Sequence, residues 1–400
     1  MINPAEKINK IINIIDIIDS PNAVLGPECD VAISSRVRIA RNISEYPFPI
    51  KLNSEGRKKV IEDVNNAVKS HKPNKTDKTD KSYEFIDFSA LSPLETSALM
   101  EKRIVSLDFV KNPGEKELIT DIKNGLYVMV NEEDHLRIQC IKPGFAIYEA
   151  FEQTNNFDNI ADENLVYAYD ENFGYLTQCP TNLGTGMRVS VMLHLPALTL
   201  SRQVQNIAKD LSKLGLTIRG FYGEGTEVGG DLYQISNNIT LGVSEEQTLE
   251  KIKPVVERII ELERTARSEL YKTSKDFIKD KIKRAYGTLK NAYMISSTEF
   301  LSLYSVIRLG ITYGIIKDID YKSLDTLLVK VMPANLSLHF AKANGNENGV
   351  NKSNKPDKSY KTNEINEPEN ANAENNTNNI NNTNNANRDI LRAKYIQEAI

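Results

Sequence analysis

GLYVMVNEEDHLRIQCI, residues 125–141, reads as two strands around a polar turn. Apolar residues run through both arms, and Asn131, Glu132, Glu133 and Asp134 gather where a turn favours short polar side chains. Further on, LYQISNNITLG (232–242) reads as another strand. Residues 244–270 form a long helical pattern opened by a capping box of Ser244 and Gln247. Pro254 is expected to kink that helix or mark its first turns. From 273 to 340 the pattern is helical only, in KDFIKDKIKRAYGTLKNAY, STEFLSLYSVIRLGI and SLDTLLVKVM. Apolar residues recur there at three and four, with Gly287, Gly310 and Gly314 as turn signals. The expected class is α+β: a mixed domain over 25–270, then a small all-helical domain over 271–400.

Composition narrows the function classes. The chain has 400 residues, 40% hydrophobic and 26% charged, values of a globular protein of two or three domains. A net charge of -4 disfavours a general nucleic-acid coat. Cys29, Cys140 and Cys179 form no CxxC, which excludes a disulfide scaffold and a Cys-based zinc site and suits a reducing cytosol. The apolar IINIIDIID (11–19) is too short and too interrupted to span a bilayer, and nothing around it resembles a signal peptide. It reads as an amphipathic helix within an N-terminal segment, 1–24. HKPNKTDKTDK (71–81) reads as an exposed loop insertion. In 341–387, 18 of 47 residues are Asn and apolar residues are sparse. Such a tract buries too little to offset its ordering entropy and is expected to be disordered. Helical pattern resumes at 388–400, so the tract is placed as an insertion inside a domain.

The chemistry lies in arginine. No Walker A or GxSxG motif occurs, and GEGTEVG (223–229) has the wrong spacing for a dinucleotide fingerprint. SSRVRIARN (34–42) alternates Arg36 and Arg38, which in a strand share one face. NEEDHLR (131–137) sets three acids beside Arg137, CPTNLGTGMRVS (179–190) is a Gly-rich loop carrying Arg188, and IRGFYGEGTEVGG (218–230) joins Arg219 to Glu224. Arginine forks bind phosphate oxygens bidentately, and phosphoryl transfer needs mostly positioning and charge neutralisation. Any one of these arginines alone reads better as a surface salt bridge; four arginine-bearing motifs together read as a phosphate site.

These motifs together resemble the catalytic domain of the phosphagen (guanidino) kinases over roughly 25–265. Within that family the chain is most similar to the bacterial protein arginine kinases. Only 33 residues precede the SSRVR motif, where small-molecule guanidino kinases carry a helical domain. A helical domain follows the catalytic one. RDILRA (388–393) matches the RDxxRA motif that forms a phosphoarginine pocket in that branch. The resemblance implies an antiparallel sheet flanked by helices. It implies ATP contacts at Ser34, Ser35, Arg36, Val37 and Arg38, at Arg137, at Arg188, Val189, Ser190, Val191 and Met192, and at Arg219, Gly220, Phe221, Tyr222, Gly223 and Glu224. The five arginines would grip phosphates, and Glu133 and Glu224 would be the paired catalytic carboxylates. A guanidinium is not deprotonated in advance by any ordinary base, so two carboxylates would clamp it and accept the proton as the N–P bond forms.

Other implications follow from the same kinship. Cys179 stands where guanidino kinases keep a reactive cysteine near the substrate; a small packed residue is the plain alternative. MEKRIVS (100–106) puts Arg103 where the branch often has a nucleotide-contacting His, and Arg can stack on adenine in its place. Arg388, Asp389, Arg392 and Ala393 would form the allosteric phosphoarginine pocket, against the plain reading of a solvated charged helix. Of the histidines, His135 is expected to hold a strand end, His71 to be solvated, and His194 and His339 to be packed. Implied cofactors are ATP and Mg2+, with no metal held by protein side chains. Implied partners are proteins with exposed arginines, a heat-shock repressor among them, a zinc-containing activator, a Clp ATPase and a second copy of the chain. The expected function is ATP-dependent protein arginine phosphorylation in stress response. A kinase for free arginine or another small guanidino compound, or a non-catalytic phosphoarginine- or ATP-binding module, stands as the alternative.

Overall fold

The computed structural model describes residues 25–71, 83–220, 229–343 and 374–400. The expectations for 1–24, for most of the 71–81 insertion and for 344–373 lie outside the described residues. Among those described, the strands are β1 (Ala32–Arg41), β2 (Glu84–Asp87), β3 (Glu117–Asp121), β4 (Leu126–Val130), β5 (Leu136–Pro143), β6 (Tyr169–Asp170), β7 (Gly174–Tyr175), β8 (Met187–His194), β9 (Leu216–Gly220) and β10 (Leu232–Asn237). Eight of them make one antiparallel sheet in the order β2-β3-β4-β5-β1-β8-β10-β9; β6 and β7 form a small separate ribbon.

Strand alternation then divides the sheet into two unlike faces. Val37, Ile39, Ile138, Cys140, Val189, Val191, Leu193 and Ile235 point to one face and are fully buried. The helices α1 (Ser54–Ser70), α4 (Ile147–Asp162) and α7 (Glu245–Thr273) close over that face and build the main core. The sequence-read capping box of Ser244 and Gln247 opens α7, and Pro254 lies inside that helix. Near one edge, α2 (Pro93–Glu101) and α3 (Leu107–Lys111) bury Leu99 and Phe109 against Leu118, Tyr127 and Met129. Arg41 belongs to the core face. Its guanidinium meets Asp158 at 2.7 Å, donates to Thr185 O at 2.8 Å and lies 3.5 Å from the Tyr175 ring centroid. Removing one partner from so buried a pair typically costs about 3–5 kcal/mol.

The short helices α5 (Pro196–Leu200) and α6 (Val204–Lys213) follow β8, and the chain beyond α7 is helical. It comprises α8 (Lys275–Asn291), α9 (Ser297–Thr312), α10 (Tyr321–Lys330), α11 (Pro333–Ala343) and α12 (Glu374–Ala399). Their apolar faces form a second core with Ile282, Leu289, Phe300, Tyr304, Leu327 and Ile396, which reaches Met192 and Leu232 of the sheet. Buried charge fastens the two cores. Glu263 accepts from the Ala197 and Leu198 N–H groups at the start of α5 and pairs with Arg267, which donates to His194 O at 2.9 Å.

Several expectations are corrected here. Gly287 and Gly310 lie inside α8 and α9; only Gly314 sits at a turn, with φ +65°. A Cβ on Gly310 would lie 2.6 Å from Ile282 Cγ2, so its small size serves close helix packing. Helix α12 begins at Glu374, so the Asn-rich tract is helical over 374–387. Once the packed residues near Ala393 and Ile396 nucleate the helix, each added residue costs little. His71 is partly exposed rather than freely solvated: it follows α1 and meets Glu163 at 3.0 Å. His339 is exposed, although its ring lies 4.7 Å from that of Tyr395.

Candidate active site

The register of the central strands gathers the arginines. In β1, Arg38 stands opposite Gln139 of β5 and Arg188 of β8, and Arg36 stands opposite Ile141 and Ser190. Ala40 stands opposite Arg137. In β10, Gln234 faces Met192 on one side and Arg219 of β9 on the other. Directly paired residues share a face, so Arg36, Arg38, Arg137, Arg188 and Arg219 all rise from the side opposite the apolar core. Ser190 and Ser236 lie among them, and Ser236 Oγ accepts from Arg188 Nη2 at 2.9 Å.

Crowding gives this face an unusual charge state. Burial pushes the Arg36 guanidinium down to about 9, helped by Arg103, Arg137 and Arg188. Burial also drives Arg38 well below the ordinary range, with Arg36, Arg137 and Arg188 adding to the shift and Glu132 opposing it. Both side chains keep partial exposure, and a guanidinium at about 9 is still charged at neutral pH. Arg38 Nε is buried without a hydrogen-bond partner in the described structure. A polyanion would supply the missing acceptor and relieve the repulsion, so the residues present fit a nucleoside polyphosphate.

The turn of 131–135 separates its three acids by partner. Glu132 pairs with Arg137 at 2.5 Å and accepts from the Ser106 hydroxyl and the Glu133 N–H. Burial pushes Glu132 up, but Arg137 and these donors outweigh it and the net shift is downward. Asp134 accepts from Asn42 Nδ2 at 2.6 Å and from Gln178 N at 2.8 Å, which ties the turn to the loop bearing Cys179. The Glu133 carboxylate has no hydrogen bond or ion pair among the described residues and is half-buried. Burial, then Asp134 and Glu132, raise its pKa. His135 accepts from Ile43 N at 3.0 Å through Nδ1 and donates to Pro47 O at 3.1 Å through Nε2. Burial pushes it down to about 4, so it is a neutral strand-end strut.

The Gly-rich loop before β8 is held by backbone contact. Gly184 has φ +97°, and a Cβ there would lie 2.2 Å from Thr240 O. Cys179 is partly buried, with Sγ 3.0 Å from Thr181 Oγ1. Arg103 has φ +62° and lines a cleft with Ser34, Arg36, Ser190, Met192 and Gln234.

Not every carried-over contact reaches this face. Val37, Val189 and Val191 turn into the apolar core. Ser35 donates to Gly144 O and accepts from Ala146 N on the same far side. Strand alternation excludes these four side chains from the arginine face. Gly220 ends β9, while Phe221, Tyr222, Gly223 and Glu224 lie outside the described residues. The sequence reading missed Gln139, Gln234 and Ser236; the alternation of Gln234 and Ser236 in LYQISN was the available signal.

At the other end, Arg392 is buried. It donates to Val331 O at 2.9 Å and Ile295 O at 2.8 Å and pairs with Asp389 at 2.5 Å. Ala393 is buried in the second core, and Arg388 is half-buried beside Asn385. The two arginines thus share one helix but not one environment.

Comparison with known proteins agrees with this geometry. The ATP:guanido phosphotransferase C-terminal catalytic domain matches residues 60–266, and the protein-arginine kinase McsB C-terminal domain matches 275–348. The protein-arginine kinase of Caldanaerobacter subterraneus subsp. tengcongensis is 45% identical over 77% of this chain and 90% of its own length. That of Pelotomaculum thermopropionicum is 45% identical over 77% and 86%. Among solved structures, the duplicated taurocyamine kinase from Schistosoma mansoni with bound transition state analog components aligns with a TM-score of 0.53 and 26% identity. That alignment covers 62% of this chain and 35% of that one. The chain belongs to the protein-arginine kinase family of ATP:guanido phosphotransferases.

Proposed function

We propose that this chain transfers the γ-phosphate of ATP to arginine side chains of proteins. One observation carries the reading: five arginines rise from a single sheet face, with the Glu133 carboxylate, unpartnered among the described residues, at its edge. Arg36, Arg38, Arg137, Arg188 and Arg219 bind the triphosphate and neutralise charge as it shifts toward the leaving ADP. Glu133, with Glu224, clamps the target guanidinium and turns one nitrogen toward the γ-phosphorus. The N–P bond forms as the bond from phosphorus to the ADP oxygen breaks. ADP leaves with that electron pair, and the nitrogen's proton passes to a carboxylate. Glu132 stays on Arg137 and orients it. Kinship implies Mg2+ as the cofactor that accompanies ATP. When bound it adds charge neutralisation.

Kinship supports further assignments. The substrates include a heat-shock repressor; a zinc-containing activator and a Clp ATPase are partners in a cytoplasmic stress response, and the enzyme acts as a homodimer. Arg388, Asp389, Arg392 and Ala393 form a phosphoarginine pocket that feeds back on activity. The catalytic domain ends near residue 270, where α7 gives way to α8. Among the described residues no helix is long and apolar enough to cross a membrane.

The test is direct. The enzyme is incubated with Mg-ATP and either free arginine or an unfolded protein, and acid-labile phosphate is located by mass spectrometry. Label on protein arginines supports the reading. Label on free arginine alone assigns a small-molecule kinase, and label on neither assigns a binding module.

A further inference from the structure

Glu101, the last residue of α2, is half-buried where α2 meets the start of α11. Its carboxylate accepts from Ala334 N at 2.8 Å, Asn335 N at 3.0 Å and Asn335 Nδ2 at 2.8 Å. Asn335 Nδ2 also reaches Ala98 O at 3.2 Å. The first turn of α11 has N–H groups without intrahelical acceptors, and a carboxylate from another segment fills that role. Burial raises the Glu101 pKa, and the α11 donors hold it back, with the distant Arg392 charge acting the same way.

Both ends of this contact lead somewhere. Two residues beyond Glu101, Arg103 takes φ +62°, a conformation that a side-chain-bearing residue holds only when its surroundings fix it. Its carbonyl accepts from Gln139 Nε2 at 3.1 Å, and its side chain lines the cleft beside Arg36. Two residues before α11, the Val331 carbonyl accepts from Arg392 Nε of the RDILRA segment. A continuous path of short contacts thus runs from α12 through the start of α11 and Glu101 to the cleft.

We propose that Glu101 is a positioning residue that fixes Arg103 against the nucleotide and transmits the placement of α11 and α12 to the nucleotide cleft. The inference rests on Arg103 contacting ATP. Without the Glu101 carboxylate, the turn of 101–104 keeps its backbone bonds and the Gln139 contacts but loses its tie to α11. The Arg103 guanidinium then samples positions away from the cleft, and ATP binds more weakly while the carboxylate chemistry at Glu133 is untouched.

Steady-state kinetics on full-length Arg103→Ala, Glu101→Ala, Glu101→Gln and the double variant Glu101→Ala/Arg103→Ala test this, with ATP calorimetry alongside. Arg103→Ala should raise the ATP KM about tenfold, the size expected for one charge-assisted contact. Glu101→Ala should raise it similarly with kcat changed far less, and the double variant should be no worse than Arg103→Ala alone. Glu101→Gln keeps two acceptor positions on one oxygen and should recover part of the loss. An unchanged KM in Arg103→Ala overturns the nucleotide role of Arg103. A raised KM there with an unchanged KM in Glu101→Ala overturns the coupling, as does full additivity in the double variant. If Glu101→Ala fails to fold, a Glu101→Gln variant with lowered Tm but unaltered ATP affinity overturns the coupling in its place.

Discussion

Replacing Glu133 by Ala should cut turnover by about 10²–10⁴-fold while barely moving the ATP dissociation constant, since it removes alignment and proton acceptance but no phosphate contact. Single-turnover kinetics with calorimetry check this. The raised pKa of Glu133 also has a visible sign. The carboxyl keeps its proton to higher pH than an ordinary glutamate, so the acidic limb of the kcat profile should lie correspondingly high and vanish in Glu133→Gln. Arg188→Lys should lose about 10- to 100-fold in kcat/KM despite keeping its charge. One ammonium cannot serve both Ser236 and a phosphate edge in fork geometry. His135 gives a stability prediction instead. Its pKa of about 4 lies below the unfolded value of 6.5, so its contribution is present above pH 6.5 and is lost as pH falls toward 4. The span is worth up to about 3 kcal/mol. Melting curves of the wild type should drop faster across that window than those of His135→Asn. The arginines could be read from the sequence because alternation within a strand puts Arg36 and Arg38 on one side. The division of labour among Glu132, Glu133 and Asp134 could not, because it is made by Ser106, Asn42 and Gln178, each from a distant segment.

At the level of elements, the loop joining Cys179 to β8 is held by close backbone contact. Gly184→Ala should destabilise the protein by at least about 1–3 kcal/mol and lower activity as well, because a Cβ would collide with the Thr240 carbonyl. Thermal melts and a kinase assay on one preparation measure both. The opposite tolerance is expected of 344–373. Deleting those residues and joining α11 to α12 by a short flexible linker should leave the melting temperature and turnover close to wild type. Their Asn-rich composition offers little to a core, and connection entropy changes slowly with length. Helix and strand types were legible from apolar spacing, and the α7 capping box was legible residue by residue. Glycine misled: Gly287 and Gly310 punctuate a sequence but sit inside helices, since packing against a neighbour decides what one residue's backbone freedom does not. The reach of α12 into the Asn-rich tract was equally hidden, because propagation from a packed end is a property of the whole helix.

Across the whole molecule, RDILRA behaves as two half-motifs. Arg392 holds α12 to Val331 and Ile295, so Arg392→Ala should lower the melting temperature as well as weaken any phosphoarginine response. Among the described residues Arg388 bonds to Asn385 of its own helix, so Arg388→Ala should melt like wild type yet fail to bind a phosphoarginine peptide in calorimetry. Unchanged peptide binding in Arg388→Ala would return the segment to an ordinary surface helix. The fold class and the two-part order of the chain were legible because the alternating and helical patterns occupy separate stretches. The buried fastening at Glu263, Arg267 and His194 was not, being written in residues that look like surface charges until their neighbours are known. The crowded arginine face reaches beyond catalysis. Like charges packed side by side oppose the folded state until an anion arrives, and a ligand at a hundred times its dissociation constant adds about 2.7 kcal/mol of stability. Protease resistance of the chain therefore follows the triphosphate supply around it. Adenosine should give no protection in a limited-digestion series where ATP gives much, and a starved cell would clear this kinase sooner than a fed one.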